Sequence, residues 1–76
     1  MPKLPAIKSK ELIKIMSNLG FEQSRQKGSH GFFKHPDGRT TVVPIHPGKD
    51  IGKGLIRAIL QDIKISPEEF LKKLKK

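Results

Sequence analysis

Seventy-six residues carry 16 Lys and Arg against 7 Asp and Glu, a net charge of +9 and a pI near 10.2. A chain this short buries only about 60 % of its unfolded surface, so residues 1–76 are expected to form one small domain that depends on sound turns and caps. The absence of Cys excludes disulfide staples, thiolate metal sites and a thiol nucleophile.

Met1-Pro2-Lys3-Leu4-Pro5-Ala6-Ile7 lacks the apolar run of a signal peptide, and no stretch is long and apolar enough to span a bilayer. A soluble, cytoplasmic protein is expected. Excess positive charge favours polyanions, because neutralising phosphates releases condensed counterions. Part of the charge lies in Lys72-Lys73 and Lys75-Lys76, which read as a solvated tail. Much of the rest clusters near the glycine-rich turns, and nucleic acid is the leading partner class.

In chain order, Ser9 is a plausible N-cap for a first helix, and Leu12, Ile13, Met16 and Leu19 form its apolar stripe. Gly20 suits the left-handed position after the helix, with Phe21 packing back on Met16. From Phe21 to His46 the period changes to that of strands. Gly28-Ser29 fits a two-residue type II′ hairpin loop, and His35-Pro36-Asp37-Gly38 fits a type I turn closed by a left-handed Gly. These turns place Lys27 opposite His30, Arg25 opposite Phe32, Phe32 opposite Val42 and His30 opposite Pro44.

Alternation then puts Gln23, Arg25, Lys27, His30, Phe32, Lys34, Val42, Pro44 and His46 on one basic, open face. Ser24, Gly31, Phe33, Thr41, Val43 and Ile45 fall on the face that meets the helices. Pro47 to Gly54 reads as a loop. Leu55, Ile56, Ile59, Leu60 and Ile63 make a second amphipathic helix. Ser66-Pro67-Glu68-Glu69 is a capping box with Pro at N1, and Ile65 and Phe70 hold the staple positions. The expected fold is a two-layer α+β domain: helix, three-stranded antiparallel sheet, helix and a short C-terminal helix, with the helices on one face.

Motifs for ATP hydrolysis or zincin chemistry are absent, and no cofactor or metal is called for. His30 is the sharpest candidate for chemistry. RNA supplies its own nucleophile, the 2′-hydroxyl, and cleavage needs a group that titrates near neutrality to take its proton. Lys27 and Arg25 on the same face would stabilise the charged transition state. Ser29 can hydrogen-bond a phosphate oxygen or serve only the turn. Phe32 and Lys34 continue the face toward an RNA strand, and Lys53, between two glycines ahead of a helix, can meet a phosphate. His46 is either a second proton-transfer group or a loop residue before Pro47. His35 faces away and reads as structural, and the opposed faces of the three His argue against a metal site.

Arg25-Gln26-Lys27-Gly28-Ser29-His30, His35-Pro36-Asp37-Gly38-Arg39, Val43-Pro44-Ile45-His46, the Glu11-Leu12-Ile13 helix ending in Gly20-Phe21, and Ser66-Pro67-Glu68-Glu69-Phe70-Leu71 together resemble the HicA (YcfA-like) toxins. That resemblance implies a fold like a double-stranded-RNA-binding domain, α-β-β-β-α. It implies a translation-independent mRNA endoribonuclease with His30 as its catalytic residue, monomeric when free and neutralised by a HicB-type antitoxin that covers the His30 face. Gly31 departs from the pattern: a larger residue is expected after the His, and its absence would loosen the start of the strand. A non-catalytic RNA-binding module and an adaptor for an acidic protein remain as competing readings.

Overall fold

The computed structural model describes residues 4–46 and 48–74. The expectations for Met1-Pro2-Lys3, Pro47 and Lys75-Lys76 lie outside the described residues. The elements in chain order are β1 (Ile7–Lys8), α1 (Ser9–Asn18), β2 (Glu22–Lys27), β3 (His30–Lys34), β4 (Thr40–Pro44), β5 (Asp50–Ile51), α2 (Lys53–Ile63) and α3 (Pro67–Leu74). Strands β2, β3 and β4 form an antiparallel sheet in that order, and the helices cover one face, as expected for an α+β domain like the double-stranded-RNA-binding fold.

Helix α1 begins one residue earlier than the sequence suggested. Lys8 is its N-cap, without a side-chain capping bond, and Ser9 is the first helical residue and buried. Its inward stripe is Leu12, Ile15 and Met16, with Ile13 only half-buried, because positions 12, 15, 16 and 19 share one side of a 3.6-residue helix. The helix stops as the sequence indicates. Gly20 has φ +100°, its N–H bonds to Ser17 O at 3.1 Å, and Phe21 N–H reaches Met16 O at 3.0 Å. That is a Schellman stop, which leaves Phe21 buried in the core.

Both hairpins close as their turn residues require. Gly28 has φ +59° while Ser29 does not take a positive φ, the pattern of a II′ loop, and Lys27 pairs with His30. Gly38 (φ +101°) follows a type I turn in which its N–H bonds to His35 O at 2.9 Å, and His35 N–H bonds to Arg39 O at 2.8 Å. The face assignment needs one correction. A β-bulge at Ser24 shifts the ladder so that Arg25 pairs with Phe32 but Gln23 pairs with Phe33. Gln23 therefore lies on the Gly31 and Phe33 side, and Ser24 is exposed in the bulge with its hydroxyl donating to Phe32 O at 3.1 Å.

The core lies between the sheet and the helices: Phe33 and Val43 from the sheet, Leu12, Met16 and Phe21 from the α1 region, Ile56, Ile59, Leu60 and Ile63 from α2, and Phe70 from α3. Each such side chain contributes about 1.5–3 kcal/mol by leaving water. Leu55 is not among them. It is 45 % exposed, on the flank of α2 rather than its inner stripe. Gly31 is packed, not loose: a Cβ there would stand 2.7 Å from Ile45 Cδ1 and 3.0 Å from Phe33 Cε1.

The loop read from Pro47 to Gly54 is shorter than expected. Asp50–Ile51 pairs antiparallel with Ile7–Lys8, forming a second, two-stranded sheet with Lys8 Nζ 3.4 Å from Asp50 Oδ1. Helix α2 ends on Lys64, the one non-glycine with positive φ (+59°) among the described residues. Ser66 caps α3 through its Oγ, which accepts Glu69 N–H at 3.1 Å, while Ile65 and Phe70 join the same core.

Candidate nucleic-acid interface

The Gly28-Ser29 loop holds Lys27 and His30 side by side at the end of the β2–β3 hairpin, both exposed. On the far side of His30 the ladder partner is Pro44 of β4. Proline has no N–H to offer the ladder and sits at the end of an edge strand, where that costs least. The end of this strand is tied back to the loop: Ile45 N–H donates to Ser29 O at 2.6 Å. His30 thus stands on a braced corner with its ring open to solvent.

One step along the same face, Arg25 and Phe32 are paired, with the guanidinium carbon 4.8 Å from the ring centroid. This cation–π contact leaves Phe32 half-buried, where the sequence reading had it exposed, and holds the guanidinium plane against the sheet. Lys34 closes the strand, exposed and paired with Thr40. Lys27, His30, Arg25, Phe32 and Lys34 therefore share one face. Ser29 is half-buried in the loop and contributes its carbonyl to the Ile45 bond.

Two candidates are not on that face. Strand β4 ends at Pro44, and His46 opens the next turn, in which Lys49 N–H bonds to His46 O at 3.1 Å and Gly48 has φ +80°. Lys53 is the first residue of α2, whose Gly52 N-cap provides no side-chain cap. Thr41 Oγ1 donates to Asp62 Oδ2 at 3.0 Å and the Arg39 guanidinium donates to Ile63 O, so α2 runs antiparallel to β4. Lys53 accordingly lies toward the Pro44 end of the sheet.

His35 is bound into the scaffold. Its Nε2 lies 3.1 Å from Leu19 O, its Nδ1 accepts Asp37 N–H at 3.1 Å, and its ring meets Phe21 edge-on at 5.0 Å. These partners assign the proton to Nε2 in the neutral ring. Nδ1 also lies 3.0 Å from Asp37 Oδ1, a contact that becomes an ion pair only when the ring is charged. Arg39 completes the cluster, with Nε 2.8 Å from Asp37 Oδ2 and its guanidinium carbon 5.1 Å from the Phe21 centroid. The Arg39 backbone N–H, and after it the Arg39 and His35 charges, hold the Asp37 carboxyl below the usual carboxylate range. The cluster ties the β3–β4 turn to the ends of α1 and α2 and keeps His35 away from His30. Among the described residues no three metal-ligating side chains come together.

The sequence reading missed a groove of about 630 Å³ that leaves the open face across edge strand β4 and reaches the flank of α2. Val42, 38 % exposed, and Leu55 are its apolar walls. Val42 was legible as an outward position; Leu55 was hidden inside an apparent apolar stripe. No helix among the described residues is long and apolar enough to cross a membrane.

No curated protein compared with the chain matches it. The family described as the HicA toxin of bacterial toxin–antitoxin systems matches residues 9–65. That span runs from the first residue of α1 through the whole three-stranded sheet to just past α2, and leaves α3 outside. Because the match includes the loop that presents His30 and the fold that braces it, the chain belongs to the HicA family of toxins.

Proposed function

We propose that this toxin is a metal-independent endoribonuclease that cleaves mRNA without needing the ribosome, with His30 as its general acid/base. His30 takes the proton of a 2′-hydroxyl, whose oxygen then bonds to the adjacent phosphorus. The bond from phosphorus to the 5′-oxygen breaks, that oxygen takes a proton, and a 2′,3′-cyclic phosphate remains. Lys27 and Arg25 face the charge that develops on the phosphorane oxygens. Ser29 and Lys34 bind phosphates on either side, Phe32 offers a stacking edge, and His46 and Lys53 extend the contact at the Pro44 end of the sheet. A HicB-type antitoxin neutralises the toxin in the cytoplasm by covering this face.

The observation that carries this reading is the exposed His30 ring paired with Lys27 across a rigid II′ loop, on a face lined with cations. Proton transfer by a positioned side chain is worth about 10²- to 10⁴-fold in rate. His30→Ala is therefore expected to abolish cleavage of a labelled single-stranded RNA in the presence of EDTA while leaving the fold and most of the RNA affinity intact. Undiminished cleavage by the purified variant removes His30 from the mechanism. The Arg25–Phe32 stack favours, as a second reading, a module that grips RNA without cutting it. That reading requires salt-sensitive binding with no new RNA ends at any pH from about 5 to 8.

A further inference from the structure

The groove beside the His30 face joins exposed apolar side chains to two cations and a carboxylate. Its exposed apolar residues are Val42 on the sheet and Leu55 on α2, with Phe33, Ala58 and Ile59 also lining it, and at the open face it is bounded by the Arg25 guanidinium stacked on Phe32. Arg25 and Lys34 are the cations that line it, and Asp62, which accepts the Thr41 hydroxyl, is its only carboxylate among the described residues.

We propose that this groove seats one unpaired base of a single-stranded RNA, a position next to the bond that His30 attacks. The inference rests on the ribonuclease reading and adds to it a base-binding site built from Val42, Leu55 and Asp62. Charge complementarity argues for the occupant. A polyanionic strand is drawn to a chain of net charge +9, and its phosphates belong beside Arg25 and Lys34. The carboxylate of Asp62 repels a phosphate but accepts an N–H from a base edge. A flat base also fits between aliphatic walls and a guanidinium plane that Phe32 holds in place, a stacking surface common in recognition of unpaired RNA. Phe32 is two residues from His30 on the same side of β3, about 7 Å along the strand. A backbone crossing His30 can therefore turn a neighbouring base into the groove.

The test uses 2′-O-methyl heptanucleotides, which bind but lack the nucleophile, in intact form and with a single abasic position moved along the strand. Binding is measured by fluorescence anisotropy with wild type, Leu55→Ala and Val42→Thr. Both substitutions replace exposed side chains with residues suited to their helix or strand, and circular dichroism checks the fold. The expected result is a roughly fivefold to tenfold loss of affinity for the intact strand in each variant. One abasic position costs wild type a similar factor, and at that position the variants cost nothing more. Equal affinity of wild type and variants for the intact strand overturns the proposal. If the same variants instead lose an acidic protein that wild type binds, the groove is a protein surface and the proposal is likewise overturned. Salt-dependent binding that ignores the abasic position defeats only the base site, whereas failure of wild type to bind any strand defeats the ribonuclease reading as well.

Discussion

Replacing His35 with Ala separates its role from that of His30 most sharply, because His35 is bound into the scaffold and His30 is exposed. His35→Ala removes the bond from Nε2 to Leu19 O and the acceptor for Asp37 N–H, each worth about 1 kcal/mol net. It also removes the edge contact with Phe21, worth about 0.5–1.5 kcal/mol. The expected loss is about 2.5–3.5 kcal/mol, a large share of the stability available to a domain of this size. At roughly 4–8 °C per kcal/mol, the melting temperature falls by about 10–28 °C. Far-ultraviolet circular dichroism is the suitable probe, since the chain has neither Trp nor Tyr. Below its melting point, His35→Ala should cleave RNA at close to the wild-type rate. His30→Ala should do the reverse, with stability within about 0.5 kcal/mol of wild type and no cleavage. An unchanged melting temperature in His35→Ala, or lost cleavage while it is folded, refutes the division of labour.

Three further outcomes follow from particular positions. The folded-state pKa of Asp37 is depressed, so its contribution is present above the unfolded carboxylate range and is lost as pH falls through the folded value. Asp37→Asn should be less stable than wild type near neutrality and should flatten the decline in stability below about pH 4; parallel acid limbs for the two proteins count against the assignment. Lys64→Gly relieves a left-handed lysine at the end of α2 and should raise stability by about 0.5–1 kcal/mol in urea titrations, with no gain expected only if that backbone is unstrained. Gly31→Val drives a side chain into Ile45 and Phe33 and should cost about 1–3 kcal/mol by the same measurement; a neutral result means the packing over Gly31 is looser than its distances imply.

Local chemistry alone determined a good deal about this protein. The loops at Gly28-Ser29 and His35–Gly38, the stop at Gly20 and the cap at Ser66 are set by residues within five positions of each other, and each formed as those residues require. The two loops in turn fixed which residues stand opposite His30, because side chains alternate along each strand from a closed turn as far as the Ser24 bulge. The bulge at Ser24, the pairing of β1 with β5, and the exposure of Leu55 were decided by tertiary contact. No local pattern encodes them: a bulge answers to the twist of the whole sheet, a two-residue strand exists only beside its partner, and a leucine on an apolar stripe is buried only where another layer covers it. The same reason explains the groove. Its walls come from β4 and α2, segments whose closest lining residues are thirteen positions apart in the chain, and they meet because the shared core packs α2 on the sheet and the Arg39 and Thr41 bonds fix it alongside the edge strand.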